Sequence, residues 1–437
     1  MAQEKIKIVI LGGGFGGLYT ALELEKTLAR RSDVEVTLVN RDNFFLFTPM
    51  LHEVAASDLD PADIVNPIRK LLRRVQFFAG SVEGIDLNAK KVRVFHGDGD
   101  HEHTLSYDHL VIGLGSVPNF FKLPGVDERC ITMKSLDDAV ALRSRLIEHL
   151  EEADFECSPE LRERLLSFVV AGAGFAGVET IAAANDFVRE AIRFYPNLRE
   201  DMVRLILVDY APGILPELDA KLGVYAQKKL AHRGIEIRLK TAVAAMTDKG
   251  VELSDGTFIK TNTLIWTAGT APNPLLATLP CEKDKGKLVA DGTMKVPGWP
   301  GVWALGDCAA IHDPRTGKLY PPTAQHAFRQ GKVLARNLIA TLQGRSTQPF
   351  VFSTIGQLAA IGRRTGVASI MGINFSGFVA WWLWRTIYLS KLPRLEKKVR
   401  VALGWTLDLL FSKDLVQFKT KRARLLKVGE ASQSAAA

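Results

Sequence analysis

One short sequence device, present twice, constrains the fold of this chain more than any other feature. Residues 7–11, Lys-Ile-Val-Ile-Leu, have the apolar, branched character of a buried strand. The strand ends in Gly12, Gly14 and Gly17, spaced as GxGxxG, and residues 18–28 continue with helical spacing. In a strand, glycine turn and helix of this kind, the first glycine permits the turn, the second lets the backbone approach a pyrophosphate, and the third lets helix and strand pack closely. The sequence therefore predicts a dinucleotide site over residues 12–17.

The same order of elements returns later in the chain. Residues 166–171 read as a strand, and Gly172, Gly174 and Gly177 open a helix that runs through residue 187. In both copies, the next strand ends in a polar residue, a hairpin follows, and a further strand ends in small residues with glycine. Residues 6–117 and 166–271 match in this plan, which predicts two Rossmann-like units and hence two dinucleotides. A glycine-rich turn without function is the alternative for either copy alone, and the repetition disfavours it.

The positive charge of the chain is concentrated near its C-terminus. Residues 385–427 contain twelve Lys or Arg and three acidic residues, a net charge of +9 in a chain whose total is +8. A local basic segment favours a negatively charged partner, either anionic lipid or nucleic acid. No nucleic-acid recognition motif accompanies it, so we predict a lipid surface and no nucleic acid.

An amphipathic helix is predicted within this basic segment. Its apolar face is formed by Leu395, Val399, Leu403, Leu407 and Leu410, with Trp405 nearby and Lys397, Lys398 and Arg400 beside it. Such a helix is typical of the membrane interface, and packing on the protein's own core or on a dimer partner is the alternative. Residues 366–384 are uncharged, but three glycines interrupt them, which favours strand, turn and helix over a membrane span.

The four cysteines are scattered and form no C-x-x-C pair. This pattern indicates reduced core thiols in a cytoplasmic setting and predicts neither a metal site nor a redox dithiol. The first strand follows Lys5 directly, without the pattern of a secretory signal.

Several motifs together resemble a known family. Two GxGxxG units come first, then Gly306-Asp307, and then the run Pro321-Pro322-Thr323-Ala324-Gln325 that opens a helix. This order is similar to that of flavoproteins with two dinucleotide-binding domains. Within them the chain resembles the type II, non-proton-pumping NADH:quinone oxidoreductases, with family-like stretches at 59–64, 263–269 and 361–364, over about residues 6 to 418.

The resemblance implies FAD in the first unit, NADH in the second and a membrane quinone as electron acceptor. It places Asp307 at the ribityl hydroxyls of the flavin, Val82 near the adenine, Ala324-Gln325 beside the flavin ring at the quinone site, and Glu179 near nicotinamide and flavin. The implied FAD-binding residues are Gly12, Gly14, Phe15, Gly16, Gly17, Asn40, Arg41, Val82, Gly115, Asp307, Ala324 and Gln325. The implied NADH-binding residues are Gly172, Gly174, Phe175, Ala176, Gly177, Glu179, Asp209 and Gly269. Asn40 stands where an acid is usual, and Arg329 stands where the family often has a second Gln.

Three polar residues carry the predicted chemistry, each with a structural alternative. Asp209 ends a strand where a carboxylate accepts hydrogen bonds from ribose hydroxyls and repels a 2′-phosphate, which favours NADH over NADPH. Glu179 and Gln325 are the predicted catalytic residues. Glu179 lies early in a helix, where the dipole alone favours a negative charge. Gln325 lies at a helix start, where its amide either caps the helix or binds a quinone carbonyl.

The sequence thus predicts an α/β protein of two Rossmann-like domains, one inserted in the other, with a C-terminal membrane-associating segment. The predicted FAD domain spans 1–118 and 272–351, the NADH domain 119–271, the C-terminal region 352–428 and a disordered tail 429–437. We expect a homodimer on the cytoplasmic face of the membrane. An NADH-dependent reductase of a protein or sulfur compound, and a redox-sensing flavoprotein, are the alternative functions.

Overall fold

The computed structural model of the chain describes residues 5–97, 101–408 and 410–417. Part of the basic segment, residues 418–427, and the predicted tail 429–437 lie outside the described residues. Contacts divide the chain into two compact units. The described residues of unit 1 fall within Met1–Leu46, Val65–Val117 and Thr270–Thr354, and those of unit 2 within Phe47–Ile64, Pro118–Gly269 and Ile355–Ala437.

The strands of the described residues follow one another in this order: β1 Ile6–Leu11, β2 Val34–Asn40, β3 Phe44–Leu46, β4 Val65–Pro67, β5 Gln76–Ala79, β6 Ser81–Asp86, β7 Lys91–His96, β8 His101–Ser106, β9 His109–Ile112, β10 Ser116–Pro118, β11 Ile131–Thr132, β12 Ser167–Ala171, β13 Arg204–Asp209, β14 Ile235–Leu239, β15 Val243–Met246, β16 Gly250–Leu253, β17 Phe258–Lys260, β18 Thr263–Trp266, β19 Thr270–Pro272, β20 Lys283–Asp284, β21 Lys287–Val289, β22 Val302–Ala304, β23 Ala309–Ala310, β24 Gly356–Ala360, β25 Gly366–Ile370 and β26 Ile373–Gly377.

The α-helices of the described residues are α1 Phe15–Glu25, α2 Leu51–Ala55, α3 Ile68–Leu71, α4 Val126–Arg129, α5 Leu136–Phe155, α6 Pro159–Leu165, α7 Phe175–Ala191, α8 Ala220–His232, α9 Ala324–Leu342, α10 Phe378–Lys391 and α11 Leu395–Leu407.

Unit 1 is built on a parallel sheet with the strand order β22-β9-β1-β2-β5. Its central strand β1 is buried over Ile8–Leu11, as its unbroken apolar run requires. Helices α1 and α9 pack closely on each other. Gly331 permits this approach, since a Cβ built there would lie 2.4 Å from the carbonyl oxygen of Gly16. This packing holds the glycine turn after β1 between the sheet and two helices.

Unit 2 contains a second parallel sheet with the order β11-β18-β12-β13-β14. Strands β12, β13, β14 and β18 occupy the places that β1, β2, β5 and β9 occupy in unit 1. Each unit also inserts an antiparallel three-stranded sheet before its last repeated strand, β6-β7-β8 in one and β15-β16-β17 in the other. The predicted α/β fold with two Rossmann-like units is therefore confirmed.

Two local predictions needed correction. The sequence Asp60-Pro61-Ala62-Asp63, with its early Pro, predicts the start of one helix that runs on to Leu72, and this prediction is wrong: Pro61–Asp63 is a 3₁₀ turn, β4 follows and pairs with β3, and only α3 is α-helical. Pro67 lacks the N–H that a helix interior needs, so the chain extends there instead. Of the four cysteines, Cys157 is exposed, whereas the other three are buried thiols as expected.

The C-terminal part of unit 2 is a small sheet followed by two helices. Strands β24, β25 and β26 form an antiparallel sheet on which α10 packs, and α11 comes next. Across residues 5–97, 101–408 and 410–417, none of the helices combines the length and apolar character required to cross a membrane.

Candidate nucleotide-binding and redox site

The glycine turn of unit 1 has the geometry expected of a pyrophosphate cradle. Gly12 adopts φ +97°, and a Cβ there would lie 2.3 Å from the carbonyl oxygen of Gly113. A Cβ on Gly17 would lie 1.9 Å from the carbonyl oxygen of Gly12, so α1 can approach β1 only with glycine here. A Cβ on Gly14, in contrast, would meet no heavy atom of the described residues within 4 Å. The open side of the turn thus lies at Gly14, where α1 begins and its first four residues carry no acid.

Asn40 closes this turn from the end of β2. Its Oδ1 accepts a hydrogen bond of 2.8 Å from the backbone N–H of Gly13, and its Nδ2 donates to the carbonyl oxygen of Asp42 at 2.7 Å. The amide therefore positions the glycine turn. Arg41 next to it is exposed, with its guanidinium 3.5 Å from the carboxylate of Asp42.

The turn of unit 2 repeats the glycine contacts and the bond from the strand-end side chain to the turn, and differs in the second bond of that side chain. Gly172 adopts φ +103°, and a Cβ on Gly177 would lie 1.7 Å from the carbonyl oxygen of Gly172. Asp209 takes the place of Asn40: its Oδ2 accepts from the N–H of Ala173 at 2.6 Å, and its Oδ1 accepts from the N–H of Ala211 at 2.7 Å. Each carboxylate oxygen keeps a further lone pair with which it can accept another hydrogen bond.

Other predicted residues of unit 1 lie around the same sheet edge. Gly115 adopts φ +69° and, like Gly14, has open space where a Cβ would be. Ser116 Oγ donates to Asp307 Oδ2 at 2.7 Å, which orients the carboxylate in the 3₁₀ turn Gly306–Cys308. Val82 lies in β6, at the bulge in the antiparallel pairing of β6 with β7.

The neighbour of Asp307 is a structural thiol. Cys308 is fully buried, its Sγ lies 3.3 Å from the carbonyl oxygen of Ile112, and burial raises the pKa of the thiol to about 11. A thiol held in this form is a poor nucleophile.

Gln325 and Arg329 lie in the first turns of α9. Arg329 Nη1 donates to the backbone carbonyl of Gln325 at 2.9 Å, and its guanidinium stacks over the rings of Phe328 and Phe352 at 4.4 and 4.1 Å. His326 is buried beside them, with its Nδ1 2.7 Å from Thr323 Oγ1, and burial lowers its pKa to about 4. From the sequence, Arg329 and His326 are predicted to be packing or surface groups, with contact to the quinone head as the alternative for Arg329. Their stacking and burial agree with packing, and the quinone contact stays a prediction.

Sequence reasoning did not identify Gln330, which supports the Asp307 turn. This buried side chain of α9 accepts a hydrogen bond of 2.9 Å from the N–H of Gly306 through its Oε1. A glutamine on a helix carries no local signal for such a contact, because its partner lies 24 residues earlier in the chain.

Glu179 lies in the second turn of α7 and is buried within unit 2. Its Oε1 accepts hydrogen bonds from Trp384 Nε1 at 2.9 Å and from the N–H of Ala360 at 3.1 Å. Its Oε2 lies 3.8 Å from His52 Nδ1. Burial raises the pKa of Glu179 to about 8 and lowers that of His52 to about 3, so at neutral pH the two are an acid and a neutral imidazole, not an ion pair.

The last residue of the predicted NADH set is Gly269, at the end of β18. A Cβ there would lie 2.8 Å from the ring of Phe121, and the carbonyl oxygen of Gly269 accepts a hydrogen bond of 3.1 Å from the N–H of Asn119. Gly174 is the N-cap of α7, Phe175 and Ala176 are its first residues, and a Cβ on Gly174 would lie 3.8 Å from Glu217 Oε1.

Two glycine turns of this construction define a protein of the class with two dinucleotide-binding domains. The pyridine nucleotide-disulphide oxidoreductase family matches residues 6–331, and the NDH2 C-terminal domain matches residues 355–414. A probable NADH dehydrogenase of Dictyostelium discoideum is 33% identical over 95% of this chain and 92% of its own length. The type II NADH:quinone oxidoreductase Ndh of Mycobacterium tuberculosis is 33% identical over 92% of this chain and 88% of its own.

A solved structure shows the same fold. NDH2 from Plasmodium falciparum, in complex with NADH, superposes with a TM-score of 0.88 at 20% identity, covering 94% of this chain and all of that one. The chain belongs to the type II NADH:quinone oxidoreductase family of pyridine nucleotide-disulphide oxidoreductases.

Proposed function

We propose that the two glycine turns, Asp307, Glu179 and Gln325 perform the reaction of this family in the present chain. The protein oxidises NADH with FAD as cofactor and reduces a quinone by two electrons, without pumping protons. FAD, when bound, accepts hydride from NADH and passes electrons to the quinone. The protein's own residues therefore have to bind and orient NADH, FAD and quinone and to exchange protons. The observation that carries this proposal is the pair of matching cradles, one in each unit.

Unit 1 supplies residues that fit FAD. The open position at Gly14 and the acid-free start of α1 suit a pyrophosphate, and the oriented carboxylate of Asp307 suits a hydroxyl-bearing chain. We assign FAD binding to Gly12, Gly14, Phe15, Gly16, Gly17, Asn40, Arg41, Val82, Gly115, Asp307, Ala324 and Gln325. The corresponding domain assignment is 1–118 with 272–351 for FAD, 119–271 for NADH, and 352–428 for the membrane-associating region.

Unit 2 supplies residues that fit NADH. Asp209 is held by two backbone N–H groups with lone pairs to spare, which suits ribose hydroxyls and repels a 2′-phosphate. We assign NADH binding to Gly172, Gly174, Phe175, Ala176, Gly177, Glu179, Asp209 and Gly269. Glu179, held protonated at neutral pH, is the proposed proton donor, and the Gln325 amide is the proposed hydrogen-bond donor to a quinone oxygen.

The apolar side chains of α10 and α11 support a lipid-facing surface, which we call the C-terminal apolar face. On α11, Leu395 and Leu403 are 76% and 59% exposed. The other exposed members are Phe378, Val379, Trp382, Val399, Leu407, Leu410 and Phe411. Uncovered apolar side chains beside a basic segment suit an anionic membrane surface, where the quinone is dissolved. We further propose that the protein is a homodimer on the cytoplasmic face of the membrane.

One spectroscopic experiment tests the proposed function. The purified protein should show the visible absorbance of an oxidised flavin, NADH without oxygen should bleach it, and a soluble quinone analogue should restore it. A colourless protein that cannot be reconstituted with FAD contradicts the cofactor assignment. A flavin that NADH bleaches but quinones do not restore contradicts the acceptor.

A further inference from the structure

Unit 2 contains a polar cavity that is lined in part by Glu179 and His52. Its volume is about 50 Å³, several times the roughly 10–15 Å³ that one water molecule requires. The carboxyl groups of Glu53, Glu179 and Asp408 line it, together with the cations Arg385 and Lys413. A cavity with such a lining is polar enough and large enough to hold a short chain of water.

Glu53 resembles Glu179 in its burial and in its hydrogen bonding within this cavity. The two residues are 5% and 8% exposed, and each carboxyl accepts one indole N–H: Glu53 Oε2 from Trp405 at 3.0 Å and Glu179 Oε1 from Trp384 at 2.9 Å. The two indole rings are neighbours, with centroids 6.4 Å apart. Glu53 and Glu179 thus line one cavity, and each is hydrogen-bonded to one of two neighbouring indole rings.

Burial and the charges around Glu53 and Glu179 favour the protonated form of each carboxyl group. Burial raises the pKa of Glu53 to about 8, and the negative charges of Asp58 and Asp408 add to this, whereas Arg385 opposes it. The charge of Glu53 also raises the pKa of Glu179. Like charges in one desolvated site disfavour each other, so ionisation of one carboxyl strengthens the hold of the other on its proton.

His52, next to Glu53 on α2, lies beside Glu179. Its Nδ1 faces Glu179 Oε2 at 3.8 Å, and its Nε2 is buried with no hydrogen-bond partner among the described residues. Burial and the charge of Lys413 keep the imidazole neutral, a form in which the ring both donates and accepts a hydrogen bond. A buried, unpartnered ring nitrogen indicates a water molecule or a moving proton at this place.

Two pairs of residues that line the cavity contact each other, Lys413 with Asp58 and Arg363 with Asp408. Lys413 Nζ lies 2.7 Å from Asp58 Oδ1 and donates to the carbonyl oxygen of Ala56 at 3.0 Å. Arg363, whose side chain is half exposed, donates to the backbone carbonyl of Asp408 at 3.0 Å. Asp408 is partly exposed although its Oδ2 is buried, and burial raises its pKa to about 6, so its carboxyl gains or loses a proton close to neutral pH.

The stoichiometry of the reaction requires a proton from solvent. NADH supplies two electrons and one proton as hydride, whereas a quinol carries two electrons and two protons, so each turnover consumes one further proton. We propose that Glu53 is a proton-carrying residue that reloads Glu179 from solvent through the water of this cavity. The carboxyl O–H of Glu53 gives its proton through water to the Glu179 carboxylate, and Glu53 regains a proton from the Asp408 end. This inference rests on the proposed role of Glu179 in quinone reduction.

The first test measures the carboxyl groups without turnover. In infrared spectra recorded against pH, the C=O band of protonated Glu179 is identified by its loss in Glu179→Gln. In Glu53→Gln we expect one further protonated-carboxyl band to disappear and the midpoint of the Glu179 band to move to lower pH, because a like charge is gone. Glu53→Gln keeps an oxygen that can accept from Trp405, and circular dichroism checks its fold. An unmoved Glu179 midpoint overturns the proposal.

The second test separates the two half-reactions by stopped-flow absorbance. In Glu53→Gln, bleaching of the flavin by NADH should keep its rate, whereas reoxidation by a quinone analogue should slow by about tenfold or more above pH 8, since positioned proton transfer contributes at least that much. Asp186→Asn is the matched control, because Asp186 lines the same cavity but is paired with Arg233. It should change reoxidation less than about twofold, since the proposed relay makes no use of its proton.

The outcomes distinguish this inference from the proposed function. Equal reoxidation rates and pH profiles in Glu53→Gln and the native protein overturn the relay, even when the native protein reduces quinone. A native protein that does not reduce quinone contradicts the proposed function instead, and the infrared midpoint still reports whether Glu53 and Glu179 are coupled.

Discussion

At the scale of single residues, Asn40 and Asp209 show how one position sets two uses of the same turn. Both hold the glycine turn through the backbone N–H of the residue after its first glycine, but only Asp209 is charged. The side chain at this position therefore holds the glycine turn in both units, and only in unit 2 does it also carry a negative charge.

Replacing Asp209 by Asn should weaken selection for NADH while preserving the turn. The Asn oxygen can still accept from the N–H of Ala173, whereas the charge-assisted bonds to ribose are lost. With about 1.5–3 kcal/mol for hydrogen bonds to a charged group, KM for NADH should rise about 10- to 100-fold. The ratio of kcat/KM for NADPH to that for NADH should rise as well. Steady-state kinetics with both nucleotides measure the change, and Asp255→Asn in the exposed β16–β17 turn is the control. Unchanged selectivity in Asp209→Asn contradicts the assignment.

The raised pKa of Glu179 predicts a pH-dependent cost to folding. In the unfolded chain the carboxyl loses its proton near 4.5, whereas in the folded chain it keeps the proton up to about 8. As pH rises through this window, unfolding releases a proton, so the native protein loses stability relative to a variant that does not titrate.

Glu179→Gln should therefore gain stability over the native protein as pH increases from 5 to 8. At about 1.4 kcal/mol per pKa unit, the gain should reach a few kcal/mol. Thermal unfolding recorded at pH 5 and at pH 8 measures it as a difference in Tm that grows with pH. A constant difference means that Glu179 is already ionised in the folded protein.

At the scale of elements, the glycine turn separates folding from binding within six residues. Gly17 is required for the contact of α1 with β1, whereas Gly14 faces open space and adopts a negative φ that other residues also adopt. Gly17 is therefore needed for helix packing, whereas Gly14 is expected to be needed for binding.

Paired alanine substitutions should reveal that difference. Gly17→Ala places a Cβ 1.9 Å from the carbonyl oxygen of Gly12, so it should lower Tm and flavin content together. Gly14→Ala should leave the Tm of the FAD-free protein within a few degrees but reduce FAD retention, measured by visible absorbance per mole of protein. Normal FAD content in Gly14→Ala contradicts its place at the pyrophosphate.

The helix α11 is amphipathic in an unusual sense, because its leucines face outward. The predicted apolar face, from Leu395 to Leu410, is exposed, whereas Val401, Trp405 and Lys397 are buried. Trp405 and Lys397, which the sequence places beside the apolar face, are therefore not part of the exposed surface of this helix. Trp405 donates to Glu53, and Lys397 donates to the carbonyl oxygen of Ala62.

The exposed leucines should control membrane binding. Leu403→Asp removes the burial of one leucine in lipid, about 1.5–3 kcal/mol, so partitioning onto vesicles with anionic lipid should fall about tenfold or more. Val224→Asp is a matched control, since Val224 is also exposed, on α8 of the same unit. Vesicle co-sedimentation at fixed salt measures both variants. Equal loss in the two, or no loss in Leu403→Asp, contradicts the C-terminal apolar face as the lipid contact.

At the scale of the whole molecule, the chain uses one architecture for two different nucleotides. In the proposed function the reaction is divided accordingly, and each half is assigned to different residues. Gln325 belongs to unit 1 and is assigned to the quinone half.

Gln325→Ala should separate the two halves of the reaction. Bleaching of the flavin by NADH should persist, whereas turnover with a quinone analogue should fall by about tenfold, as loss of one hydrogen bond predicts. Anaerobic stopped-flow absorbance measures both. A parallel fall of the two rates, with lowered FAD content, indicates instead that Gln325 supports the helix start.

The sequence by itself predicted the two Rossmann-like units, the order of elements that repeats along the chain and the glycine turns at which nucleotides are expected to bind. These features are local: a glycine's φ, the length of an apolar run and the polar residue at a strand end all act within a few residues. The basic C-terminal segment and the leucine spacing of α11 could be predicted from the sequence for the same reason.

Only the tertiary structure decided what surrounds the reacting groups. Glu53 and Trp405 lie 352 positions apart, and Glu179 and Trp384 lie 205 apart, yet each pair forms one hydrogen bond in the same cavity. Gln330 and Ser116, which hold the Asp307 turn, likewise carry no local signal. Burial and pairing across such distances depend on the packing of whole elements, because the pKa of a carboxyl is set by what excludes water from it and not by its neighbours in sequence.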